Sequence, residues 1–251
     1  MKRLQLVALV AVLSALSPVA GAAQKGKPLP DPLDPALKSG SARLEALVER
    51  VRLEQSRNKS LEARFVQYQE NSLLVAPEES KGVFSYVAPD RVRWEYLTPN
   101  QISVVIKNEE MVTWYHDLKR AETVRIGKYS NQVLKYLGAS GSLESLLAYF
   151  RVSLKMPGKR GEPYRLELTP KYDRIAKRLR QMTLWIDDET FFPARLRYVE
   201  ADGDSTEYRF SNLRRNAEIP DDRFVLKLPN DVKTRRIDLT GGSGPASSSR
   251  P

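Results

Sequence analysis

The chain contains no cysteine and a single histidine, His116. Without thiols there is no disulfide framework, no cysteine to carry a lipid anchor and no Cys nucleophile, and one imidazole alone is too little for a structural zinc site. Nucleotide signatures are missing too. Gly138 to Gly141 and Gly241 to Gly244 lack the Lys-Ser/Thr ending of a phosphate loop and the spacing of a dinucleotide fingerprint. The acidic pairs Glu78-Glu79, Glu109-Glu110 and Asp187-Asp188 fall at predicted turns, where solvated turn residues are a better reading than acid-base pairs or calcium ligands. Ser142 stands just before a helical apolar pattern with no histidine nearby to act as base, so it reads as a helix cap rather than a nucleophile. Nothing nominates an enzyme, a metal or a cofactor.

Long hydrophobic runs are scarce as well. The run Leu4 to Leu16 follows Met1-Lys2-Arg3 and precedes the small residues Ala20-Gly21-Ala22, which is the order of a cleaved signal peptide over residues 1–22. No later stretch reaches the roughly 18 apolar residues of a membrane span. Export removes nucleic acid as the target of the net charge of +10 and leaves anionic membrane surfaces or acidic proteins. The densest basic run, Lys171 to Arg180, reads as a solvated hairpin end.

Proline, by contrast, is concentrated. Pro28, Pro30, Pro32 and Pro35 make residues 23–40 an extended linker. A helix opens at Ser41, and Leu44, Leu47, Val48 and Val51 recur at the spacing of one helical face. Period-two segments follow at 61–69, 82–87, 91–96, 102–107, 111–116 and 122–126. A helical interlude spans Asn131 to Leu137 and Ser142 to Phe150, and strands resume at 164–169, 179–187, 194–200, 207–213 and 224–228. Residues 239–251 are small and polar, a disordered tail. The pattern predicts an α+β domain over 41–238, a large curved antiparallel sheet of about ten or eleven strands forming an incomplete β-barrel. A lid of about three helices would cover its concave face.

The run "PDRVRWEYLTP" at 89–99 puts Val92, Trp94 and Tyr96 on a dry side and Arg91, Arg93 and Glu95 on a wet one. Together with "ARFVQ" (63–67), "GVFSYVAPDRVRWEY" (82–96), Pro99, "MVTWYHD" (111–117) and "IPDDRFVLKLP" (219–229), it resembles the periplasmic outer-membrane lipoprotein carrier family, LolA, over roughly Leu44 to Asp238. The resemblance implies an apolar cavity that holds lipoprotein acyl chains on their way from the inner to the outer membrane. An inner-membrane ABC transporter would be the donor, an outer-membrane receptor the acceptor, and the carrier a periplasmic monomer. A lipid- or lipoprotein-sensing regulatory module on the same scaffold is the alternative.

On this resemblance Phe65, Phe84, Val92, Trp94, Tyr96, Val104 and Trp114 are expected to line the cavity. Leu44, Leu47, Val48, Val51, Leu134, Leu143 and Leu147 are expected to form the inner surface of the lid. Family members often carry a basic lid latch before the second-strand proline, where this chain has Ala88, so Arg91 or Arg93 is the expected latch or partner contact. Asn108-Glu109-Glu110 replaces the family's Asp-Gly turn, and His116 stands in a slot usually aromatic. Each methylene taken from water contributes about 0.8 kcal/mol, so about 40 acyl methylenes would gain on the order of 30 kcal/mol. Lid contacts that must break on loading would offset part of that gain.

Overall fold

A computed structural model describes residues 29–71, 76–125 and 143–237. The signal-like segment 1–22, the tail 239–251 and Leu134 of the expected lid lie outside the described residues.

Alternation builds the sheet. Six strands run as an antiparallel meander, β1 (Ser60–Glu70), β2 (Glu78–Val87), β3 (Arg91–Thr98), β4 (Ile102–Lys107), β5 (Glu110–Tyr115) and β6 (Arg120–Arg125). Five more follow, β7 (Phe150–Lys155), β8 (Tyr164–Pro170), β9 (Leu179–Ile186), β10 (Pro193–Glu200) and β11 (Ser205–Arg215), and β11 closes back onto β1. β12 (Lys233–Ile237) pairs parallel to β6. The order β12-β6-β5-β4-β3-β2-β1-β11-β10-β9-β8-β7 is one open curved sheet whose ends never meet. It has twelve strands among the described residues, above the expected ten or eleven.

Three local differences account for that count. Phe150 was expected at a helix end, but it opens β7, where it is buried against Pro170 of β8. β12 is so rich in charge, "KTRRI", that its sequence carries no alternation, as befits an exposed edge strand. Residues 224–228 are not a strand. A 3₁₀ turn, Asp221–Phe224, packs on β3 and β4, and the chain then runs on unpaired. Phe224, Leu226 and Leu228 are less exposed than Val225 and Lys227 between them, so a strand-like pattern arises from packing across strands.

Helix α1 (Gly40–Ser56) begins at Ser39, whose hydroxyl accepts the Ala42 amide at 3.1 Å. Its residues Leu47, Val48 and Val51 are buried in the same cluster as Phe65 and Trp94 of the sheet. Helix α2 (Leu143–Tyr149) packs against α1 and buries Leu143. A third helix, α3 (Asp173–Ala176), is a single turn beside β8 and β9 that packs only the partly buried Ile175 against the core. The inner face of the sheet, with α1 and α2 against it, therefore holds the main core.

Candidate functional site

Strand register sorts the side chains into rows across the inner face. One row runs Leu61, Tyr86, Val92, Ile106, Met111, Val124, and the next runs Ala63, Phe84, Trp94, Val104, Thr113, Glu122. Both are apolar through β4, and the second turns polar at β5 and β6. Six of the seven expected cavity residues, Phe65, Phe84, Val92, Trp94, Tyr96 and Val104, share this face, and none is more than 4% exposed. Phe65 is the hub, with its ring 4.9 Å from that of Trp94 and 5.0 Å from that of Tyr96, both edge to face. It lies over Gly82. A Cβ built there would stand 2.5 Å from the Phe65 ring and 2.1 Å from the carbonyl oxygen of Glu95, so this position has room only for hydrogen.

Trp114 departs from expectation by one residue. The hairpin between β4 and β5 turns on Asn108 and Glu109, both with positive φ (52° and 60°), and that tight turn opposes Ser103 to Trp114 and Val104 to Thr113. A slip of one exchanges faces. Trp114 therefore lies on the outer face, stacked on His116 with ring centroids 3.6 Å apart. His116 in turn reaches the buried hydroxyl of Ser103 at 2.9 Å, and that hydroxyl donates to Glu95 at 2.7 Å.

Arg91 and Arg93 cannot be lid latches, because they too point outward. Arg91 pairs with Asp221, while Arg93 pairs with Glu95 and donates to the Arg223 carbonyl at 2.8 Å. They hold the C-terminal segment on the outer face, opposite α1. Leu47, Val48, Val51 and Leu143 are buried, and Leu44 and Leu147 are partly buried against the same cluster.

The helix is tied down by residues that apolar periodicity passes over. Glu54 continues the buried stripe of α1 one turn beyond Val51, and its carboxylate meets Arg50 at 3.0 Å, Arg57 at 3.3 Å and Arg215 of β11 at 3.5 Å. Arg215 reaches inward because of a bulge. Register slips by one residue around Asn212, which has a φ of 53°, so Leu213 and Arg215 turn to the inner face while Arg214 pairs outward with Glu62. Arg50 also covers the Phe191 ring at 4.3 Å, fixing α1 to the turn between β9 and β10. A charged residue on a helix's buried stripe needs opposite charge beside it, and that was the signal available in the sequence.

Toward the far ends of β3 and β11 the inner face becomes phenolic. The hydroxyls of Tyr96 and Tyr208 are 3.5 Å apart, and burial pushes both well above the usual tyrosine range. Tyr198 is pushed up to about 12, again chiefly by burial. These groups are neutral donors in dry surroundings. Among the described residues no group of three or more His, Cys, Asp or Glu is placed to hold a metal ion.

The model of the family "Outer membrane lipoprotein carrier protein LolA" matches residues 56–227. An outer-membrane lipoprotein carrier protein of Alkalilimnicola ehrlichii is 29% identical over 188 residues, covering 73% of this chain and 79% of that protein. Among solved structures, an uncharacterized conserved protein from Thermus thermophilus superposes with a TM-score of 0.51 at 12% identity, over 77% of this chain and 99% of that one. This likeness is one of fold. A LolA superfamily protein from Nitrosomonas europaea matches with a TM-score of 0.38 at 10% identity, over 72% and 97% of the two chains.

Proposed function

The chain belongs to the LolA family of outer membrane lipoprotein carrier proteins, and from that premise we propose that it is a periplasmic carrier whose inner sheet face receives the acyl chains of lipoproteins. The observation that carries this reading is the aromatic and aliphatic inner face around Trp94, on a curved sheet that does not close on itself and under an amphipathic helix. Acyl chains need apolar area and no directional chemistry, which is what such a face offers. Loading would exchange the contacts of Leu47, Val48 and Val51 for contacts with lipid. Part of the binding energy is then spent on displacing α1, and cargo bound in this way can be released.

The chain would take cargo from an ABC transporter in the inner membrane and yield it to a receptor at the outer membrane, acting as a monomer and catalysing no reaction. No helix among the described residues is long and apolar enough to cross a membrane. Native mass spectrometry of protein purified from the periplasm tests the reading. Acylated polypeptide bound one to one is the expected result, and persistently ligand-free protein under conditions of active lipoprotein export would contradict it.

A further inference from the structure

On the outer face of β7 to β11 the strand register lines up one row, Lys155, Arg165, Trp185, Arg195 and Arg209, each opposite the next. Lys155 therefore stands directly across from Arg165, and Arg195 across from Arg209, with backbones about 5 Å apart. Like charges placed opposite one another destabilise a sheet. The neighbouring row relieves this only by half. Glu167 serves Lys155 and Arg165 together, and Glu207 serves Arg195 and Arg209 together, so four cations share two carboxylates and two positive charges are left over. The donors are half used as well. The Nε–H groups of Arg165 and Arg195 have no acceptor among the described residues. Both guanidiniums lie over the Trp185 ring, at 5.7 and 4.1 Å, and an indole beneath a guanidinium orients it without taking up its in-plane donors. The two side chains keep 43% and 37% of their surface exposed, so a ligand reaches them from solvent.

From this row we infer that the outer face of β7 to β11 is a docking surface for an acidic segment of a partner protein, whose carboxylates are taken by Arg165, Arg195 and Arg209 around Trp185. Arginine supplies three of the four cations, and its planar fork holds a carboxylate by two bonds at once, which suits acidic side chains. The carboxylates already present are shared two to one, so an incoming set would bring the row toward one acid for each cation. The sheet is curved, and this face bends away from any plane. A flat anionic bilayer would meet only part of the row at a time, whereas a flexible acidic chain can follow it across the strands. The inference is independent of what the inner face carries, because the row lies on the side of the sheet opposite α1.

The test titrates the full mature chain, with ¹⁵N-labelled tryptophan, against a fluorescein-labelled peptide of alternating Glu and Ser. Anisotropy reads the binding, and the indole resonances of Trp94, Trp114 and Trp185 read its place. The expected result is saturable binding, weakened by salt, that shifts the Trp185 resonance and leaves the other two where they were. Arg195→Gln with Arg209→Gln should weaken binding about tenfold, at about two- to fivefold for each exposed charge pair lost. Lys177→Gln with Arg178→Gln removes the same charge from the neighbourhood of α3 and should change affinity by less than about twofold. Equal weakening by both pairs would mean attraction by net charge alone and would overturn the inference, as would failure of the peptide to bind at low salt. Phosphatidylglycerol vesicles that bind more tightly than the peptide and shift Trp185 would assign the row to a membrane and overturn it too. The carrier reading survives each of these failures, since none touches the inner face. The indole shift is read on wild-type protein, so a misfolded variant could not mask the outcome.

Discussion

The two faces of the sheet are built from the same strands by the same alternation, yet they solve opposite problems. Inside, Phe65, Phe84, Trp94 and Tyr208 meet ring to ring, and charge is kept to the margin, at Glu54 and Glu122. Outside, on β7 to β11, charge is the packing material. Glu167 serves both Lys155 and Arg165, and Glu207 serves both Arg195 and Arg209. The half-buried Trp185 lies beneath the guanidinium of Arg195 at 4.1 Å and near that of Arg165 at 5.7 Å. A tryptophan on either face is covered, by rings within and by arginines without. Among the described residues each face holds buried donors without an acceptor, the Trp94 indole N–H within and the Trp114 indole N–H and the Nε–H of Arg165 and Arg195 without. What separates the faces is the company their tryptophans keep.

The comparison breaks most readily at its centre. Phe65→Ala should destabilise the fold by about 4 kcal/mol through the cavity left among the rings, whereas Trp185→Ala on the outer face should cost about 1 kcal/mol; denaturant midpoints of the two variants check this. Gly82→Ala should cost about 3 kcal/mol, because the new methyl meets the Glu95 carbonyl and the Phe65 ring. A substitution that small with no thermal effect would mean that the ring does not lie where it is described.

Much of this was legible beforehand. Strict alternation in β3 placed Trp94 and Tyr96 on the dry face, and the helical spacing of Leu47, Val48 and Val51 placed the covering stripe. What failed were questions of register and of direction. A two-residue turn with both φ positive decided the side of Trp114, and nothing in "IKNEEMVTWYH" distinguishes that turn from a three-residue one. The latch was sought among arginines of β3, whose alternation already pointed them outward. Arg215 was missed because only a bulge, invisible to period-two reading, brings it inward to Glu54.

Smaller effects sharpen the contrast further. Arg215→Ala should cost about 1 kcal/mol, since Arg50 and Arg57 still serve Glu54. Its clearer signature is faster amide exchange in α1 with the sheet unchanged. The phenols make the inner face sensitive to alkali. Burial raises Tyr96, Tyr198 and Tyr208, so their contribution is complete below the unfolded tyrosine value of about 10 and is lost as pH rises above it through the higher folded values. Phenolate absorbance should show these three ionising only as the protein unfolds. On the outer face, burial pushes Glu207 up, but hydrogen bonds from Arg195 and Arg209 outweigh it and hold the carboxyl below its ordinary range. Its contribution is present above the unfolded glutamate value of about 4.3 and fades as pH falls through the lower folded one. Glu207→Gln should flatten the acid limb of the stability profile slightly.

The most direct measurement is fluorescence quenching by brominated acyl chains in two single-tryptophan proteins. One retains Trp94 with Trp114→Phe and Trp185→Phe, and the other retains Trp185 with Trp94→Phe and Trp114→Phe. Strong, saturable quenching of Trp94 with little effect on Trp185 is the predicted result. Quenching of Trp185 with Trp94 untouched would put the lipid on the wrong face and contradict the account.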